Sequence, residues 1–242
     1  MEEAGRRLGH IFASVSSVLC AGSTTLDVDA WIEDKLLKYD LVSKSKGYKG
    51  LYHHVSCISV NDVVVHGIPS KAFILRDGDL VKIDVCASWK GYCADMARAF
   101  FVGQGEGASE GKRLVEVAYS ALDKGISKAL AGNHLSDISA AIQEEVEAAS
   151  FGVVRDFAGH GIGKQMHEEP EVLNFGKPGR GPILRPGMAL ALEPMITMGS
   201  YKIKIMPDGW TAKTADGSLA AHVEDTIVIT EAEPKVITRY NL

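Results

Sequence analysis

One short pattern occurs twice in this chain. Leu75-Arg76-Asp77-Gly78 leads through Asp79-Leu80-Val81-Lys82-Ile83 to Asp84, and Leu184-Arg185-Pro186-Gly187 leads through Met188-Ala189-Leu190-Ala191-Leu192 to Glu193. Each copy reads as a turn, a short apolar strand, and a carboxylate where the strand should be buried. Stripping water from a carboxylate is costly unless a cation or hydrogen-bond donors replace it. Incurring that cost twice, at matching positions, points to one shared cation site.

The repeat extends beyond the strands. Asp137-Ile138-Ser139-Ala140-Ala141-Ile142 parallels Asp27-Val28-Asp29-Ala30-Trp31-Ile32 at an offset of 110, and the carboxylate strands repeat at an offset of 109. Apolar spacing predicts helices over 2–20 and 111–130, closed by Ala21-Gly22 and Ala131-Gly132, and Thr24-Thr25-Leu26-Asp27 reads as a capping box for a helix over 25–39. A Gly-rich loop follows at 47–50. Strands are expected at 55–60, 80–86 and 93–102, with a turn at 88–92 and a small-residue connector at 103–111. The implied fold is α+β: a single domain, 1–242, of two pseudo-symmetric halves, about 1–107 and 108–242. In each half helices cover one face of an antiparallel sheet, and the halves face each other across a pseudo-twofold axis. Strand alternation puts Val81, Ile83 and Val85 on one face and Asp84 on the other. Likewise Leu190 and Leu192 oppose Ala189, Ala191 and Glu193, whose small neighbours leave room for a cavity.

Composition narrows the function. The net charge is −5 with no long basic run, which disfavours nucleic acid or an anionic membrane as partner. No apolar stretch approaches the roughly 20 residues of a membrane span. The start Met1-Glu2-Glu3-Ala4-Gly5-Arg6-Arg7 does not read as a secretory signal, and Cys20, Cys57, Cys86 and Cys93 show no CxxC spacing. Reduced thiols in a cytoplasmic protein are expected, or an organellar one if a transit segment has been trimmed.

Asp95 lies eleven residues past Asp84, across the expected hairpin, and Glu224 enters the apolar run Asp225-Thr226-Ile227-Val228-Ile229 much as the other acids do. Bare acids this close would repel, and one would keep a proton; as ligands they would hold a divalent cation. A single acid at a strand end is ordinarily a solvated edge residue, but four in two symmetric pairs are not. Gly159-His160-Gly161-Ile162-Gly163 offers an imidazole with little bulk around it. His167 and His66 add two more, whereas His10, His53, His54 and His134 read as surface residues. Four carboxylates and one histidine exceed a tetrahedral zinc site. They suit two cations among Mn, Fe, Co and Zn.

The segments Asn61–Pro69, Lys82–Val85, Gly159–Gly163, His167–Pro170, Leu192–Met195 and Val223–Thr226 together resemble type I methionine aminopeptidase, of the M24 metallopeptidases, over nearly the whole chain. The resemblance implies the pita-bread fold and makes Asp84, Asp95, His160, Glu193 and Glu224 the metal ligands. It makes His66 and His167 substrate-facing histidines and Cys57, Tyr48, Met166 and Trp210 the methionine pocket. It also implies removal of N-terminal methionine ahead of a small second residue, from peptides and nascent chains near the ribosome, by a monomer. A hydroxide bridging the two cations would attack the carbonyl, Glu193 would shuttle the proton, His167 would donate to the oxyanion, and His66 would bind the scissile amide nitrogen. The 31 residues from Glu193 to Glu224 leave no room for the helical insert of type II enzymes, and the resemblance implies a minimal, bacterial or organellar form expected to lack a zinc-finger extension. Met166 stands where an aromatic is usual, and His222, Asp225 and the loop 49–54 also depart from the common pattern. X-Pro hydrolases of this fold usually carry a further N-terminal domain. A two-metal phosphoesterase would need cations at the site, where alternation does not bring both Lys82 and Arg98. Metal-free relatives that only bind partners lose these ligands.

Overall fold

A computed structural model describes residues 1–103 and 109–239. The first half runs α1 (Glu2–Phe12), α2 (Thr25–Lys38), β1 (Val42–Ser43), β2 (Cys57–Val60), β3 (Val63–Val65), β4 (Leu80–Trp89) and β5 (Tyr92–Phe101). The second begins with α3 (Ser109–Lys128), α4 (Leu135–Ala148), β6 (Gly152–Val153), β7 (Gly159–Gly161), β8 (Glu168–Val172) and β9 (Ala189–Leu192). It ends with β10 (Met195–Thr197), β11 (Ile203–Ile205), β12 (Ala212–Thr214), β13 (Ala220–His222), β14 (Glu224–Val228) and β15 (Lys235–Val236). Part of the expected 103–111 connector, and the expected boundary between halves at 107/108, lie outside the described residues.

The main sheet has the order β1-β4-β5-β14-β9-β7-β8, with β2 also on β4 and β15 also on β14. Every recorded pair is antiparallel, and β5 meets β14 at the seam between the halves through Ala97–Glu224 and Met96–Asp225. Each half has its own core: α1 and α2 pack Leu8, Ile11 and Ile32 onto Val81, Ile83 and Val85, while α3 and α4 pack Leu114, Leu122 and Ile142 onto Leu190, Leu192 and Ile227. This is the pita-bread architecture.

The repeat is visible in hydrogen bonds. Leu75 N–H donates to Ser23 and Leu184 N–H to Asn133, both at 2.8 Å; Gly22 N–H donates to Leu75 and Gly132 N–H to Leu184. Half of the Thr24–Asp27 capping box recurs at the start of α4, where the His134 N–H donates to the Asp137 carboxylate at 2.8 Å while the His134 ring donates to the Gly181 carbonyl at 3.0 Å.

Three of the boundaries that differ from the sequence expectation have a clear local cause. The helix expected over 2–20 ends at Phe12, because the Ser14 hydroxyl donates to the Ile11 carbonyl (3.0 Å) and residues 15–17 wind into a 3-10 turn. The strand expected from Val55 starts at Cys57, because the N–H groups of Val55 and Ser56 donate to Asp29 on α2 instead of to a strand. The expected 88–92 turn is only Lys90-Gly91, both at positive φ (48° and 81°), so β4 continues to Trp89. That is the backbone that a tight two-residue hairpin requires.

Candidate metal centre

Strand register assembles the site in two rows on the sheet face away from the helices. In the first, Asp84 on β4 lies opposite Ala97 on β5, which lies opposite Glu224 on β14; Glu193 sits one step past the β14–β9 pair Asp225–Leu192. In the second, Asp95 lies opposite Cys86, its backbone exchanges hydrogen bonds with the Thr226 hydroxyl (2.8 Å each), Thr226 pairs with Ala191, and Ala191 pairs with His160 on β7. Ala97 and Ala191 leave space between the donors, as expected for the small residues near Glu193. Gly159 and Gly161 flank His160 because a Cβ there would lie 2.3 Å and 2.2 Å from backbone oxygens of Ala191 and Glu169. Only glycine lets the three backbones approach so closely.

The five expected ligands therefore share one pocket. Asp95, His160 and Glu224 each offer a ligand atom within 4.8 Å of the others. His160 Nε2 lies 3.6 Å from Glu193 Oε1 and 3.9 Å from Asp95 Oδ2. The His160 Nδ1–H donates to the Gly161 carbonyl at 2.9 Å, which leaves the Nε2 lone pair facing the acids. Burial pushes the His160 pKa down to about 4 and so keeps it neutral.

Burial and then the Glu193 charge push Asp95 up to about 7, and burial pushes Glu193 up to about 8. Asp84 and Glu224 are driven well above the usual range, by burial first and the Asp95 charge next. Glu224 Oε1 is buried with no hydrogen-bond partner. An orphaned carboxylate oxygen among mutually repelling acids, facing a neutral imidazole, fits divalent cations.

The centre forms the floor of a cavity of about 730 Å³ whose walls include Tyr48, Cys57, His66, Met166, His167 and Trp210, all expected from the family resemblance. His167 Nδ1 lies 3.2 Å from the Tyr48 hydroxyl, and its ring meets that of His160 edge-on at 4.4 Å. His66 has φ 60°, a left-handed backbone at a bulky residue, and its ring packs edge-on against Phe157. Burial lowers the pKa of both, to about 4 for His66.

Several contributors escaped the sequence reading. Cys86 and Phe157 line the cavity, beside Tyr52 of the loop 49–54 that departs from the common pattern. Tyr52 packs on Trp210 at 5.5 Å and donates to the Ser56 carbonyl at 2.8 Å. His54, expected at the surface, is partly buried with Nδ1 3.0 Å from the Asp29 carboxylate; that carboxylate also accepts from Val55, Ser56 and the Ser56 hydroxyl and so anchors the loop carrying Tyr52 and Cys57. Neither contact leaves a spacing signal, because Tyr52 donates to a backbone carbonyl that any residue at 56 offers and His54 meets an acid 25 residues away. Lys82 shares the face of Asp84 but is fully buried, and its ammonium donates to the Asn61 carbonyl at 2.9 Å. Arg98 turns to the helix face and pairs with Asp225 at 2.6 Å, so neither cation forms a phosphate-binding site.

The sequence matches the Metallopeptidase family M24 over residues 1–231. A methionine aminopeptidase from Clostridium acetobutylicum is 45% identical over 238 residues, covering 98% of this chain and 94% of that one. The crystal structure of a methionine aminopeptidase from Thermotoga maritima superposes with a TM-score of 0.95 at 40% identity, covering 99% of this chain and 95% of the other. An Xaa-Pro dipeptidase from Bacillus anthracis shares the fold alone, with a TM-score of 0.78 at 23% identity over 99% of this chain and 59% of that one. No helix among the described residues is long and apolar enough to cross a membrane.

Proposed function

The chain belongs to metallopeptidase family M24, and from that membership we propose how its centre works. It removes the N-terminal methionine of peptides and proteins by metal-dependent hydrolysis. On our reading Asp84, Asp95, His160, Glu193 and Glu224 hold two divalent cations from the set Mn, Fe, Co and Zn. Two donor rows, with three acids in one and an acid and an imidazole in the other, support a pair over a single ion. Bound there, the cations supply Lewis acidity and a nucleophile from water at neutral pH.

The remaining work falls to side chains. Glu193 accepts the proton of the attacking water and passes it to the leaving nitrogen. His167, whose Nδ1 faces the Tyr48 hydroxyl, has Nε2–H to donate to the tetrahedral oxyanion. His66 binds the scissile amide nitrogen and positions it. Cys57, Met166, Trp210 and Tyr48 receive the methionine side chain, since a thioether packs well on sulfur and aromatic edges. A small second residue is preferred. The substrates are nascent chains near the ribosome in the cytoplasm. One chain carries every assigned residue, so a monomer suffices, and we read residues 1–242 as one catalytic domain.

The observation that carries this reading is a single cavity joining an acid-and-imidazole floor to a soft apolar wall. Purified protein is to be incubated with Met-Ala-Ser and with an X-Pro peptide, with chelator and with each of the four metals. Metal-dependent release of methionine from the first alone is expected. Cleavage of the X-Pro peptide in preference would overturn the substrate assignment.

A further inference from the structure

Each carboxylate oxygen of Glu193 faces an imidazole. Oε1 lies 3.6 Å from Nε2 of His160, and Oε2 lies 3.6 Å from Nε2 of His222. The rings arrive from different sheets: His160 from β7 in the main sheet, His222 from the end of β13 in the three-stranded sheet β13-β10-β6. They are not chemically equivalent. His160 has committed Nδ1–H to a carbonyl and keeps a lone pair on Nε2. His222 is 2% exposed, and its Nε2 is buried without a hydrogen-bond partner.

A buried imidazole nitrogen without a partner is unfavourable, and Glu193 Oε2 is the acceptor the fold brings to it. The backbone reinforces the approach: His222 pairs with Met195, two residues past Glu193, so ring and ladder act on the same short segment. The gap of 3.6 Å is longer than a hydrogen bond, and a small rotation of the Glu193 carboxylate closes it.

We propose that His222 is a positioning residue for Glu193: its Nε2–H holds Oε2, so that Oε1 points to the cation site beside His160. The inference rests on Glu193 being a ligand and proton acceptor. Partners of this kind fix ligand orientation and tune the metal they never touch. His160 thus has a counterpart in His222, which acts through the carboxylate.

The test compares His222→Leu, which fills the space without a donor, with His222→Gln, whose amide N–H can reach Oε2. Mn²⁺ affinity is read by calorimetry, and kcat and KM on Met-Ala-Ser. His222→Leu should weaken Mn²⁺ binding and lower kcat by about 10- to 100-fold with little change in KM, while His222→Gln retains both. Wild-type Mn²⁺ affinity in His222→Leu, or a His222→Gln as impaired as His222→Leu, overturns the proposal. Glu193→Gln, measured in parallel, separates the two levels. If it turns over normally, the Glu193 assignment falls and this inference with it. If it is impaired while His222→Leu is not, only the inference falls.

Discussion

At the scale of single residues, the acids were legible because strand alternation is a strict rule. A carboxylate on the face opposite Val81, Ile83 and Val85 must meet the equivalent face of the other half. Residues whose roles depend on chain folding back from elsewhere were not legible. His222 reaches Glu193 from a different sheet, and His54 meets Asp29 across 25 residues. His167→Ala should lower kcat by about 10²–10³-fold, as expected for the loss of one oxyanion donor. Mn²⁺ stoichiometry should stay at the wild-type value, since His167 lies beside the proposed ligands and outside that set. Equilibrium dialysis and steady-state kinetics on the same samples check both halves of that statement. Asp225, adjacent to Glu224, does unrelated work: its carboxylate is fully buried and accepts from Arg98 (2.6 Å), Thr238 (2.7 Å) and Arg239. Asp225→Ala leaves a buried guanidinium without its partner and should cost about 3–5 kcal/mol in denaturant unfolding.

At the scale of elements, capping chemistry was read correctly and helix length was not. The Thr24–Asp27 box opens α2 where the sequence places it, because both hydrogen bonds are local (Thr24 N–H to Asp27 at 2.8 Å, Asp27 N–H to Thr24 at 3.1 Å). The end of α1 was missed because apolar periodicity continues through Val15, Val18 and Leu19 while the serine hydroxyls redirect the backbone. Thr24→Ala should cost about 1 kcal/mol of stability and leave kcat unchanged, because the cap supports α2 and touches nothing in the cavity. A methyl group at Gly161 has the opposite profile. Its Cβ would lie 2.2 Å from the Glu169 carbonyl, so β7 must move away from β8 and carry His160 with it. Gly161→Ala should therefore weaken Mn²⁺ binding in calorimetry more than it lowers the melting temperature.

At the scale of the whole molecule, the centre ties stability to pH. In the chelated protein Asp95 and Glu193 titrate near 7 and 8, with Asp84 and Glu224 also raised, whereas unfolded acids titrate near 4. The folded state thus binds more protons than the unfolded state over that span, and stability falls as pH rises. Below pH 6.5 the trend is opposed by His66, His160 and His222, held near 4 when folded, which favour unfolding as pH drops. Between about pH 6.5 and 8 the four acids outweigh what still opposes them, the tail of the histidine titration and Lys82, whose ammonium burial lowers to about 7. The melting temperature of chelated protein should fall across that window, and saturating Mn²⁺ should flatten the slope. A chelated protein that gains stability from pH 6.5 to 8 would contradict the electrostatics of the centre. The seam adds a consequence of another kind. The ladder joining the halves is two residue pairs long, and it presents consecutive acids, Glu224 toward the cavity and Asp225 toward Arg98. A slip of one residue would exchange their faces, putting the shorter acid in the cavity and the longer one among the guanidiniums. The two acids thus work as a key cut on both edges, and metal affinity becomes a gauge of whether the halves have joined in the correct frame.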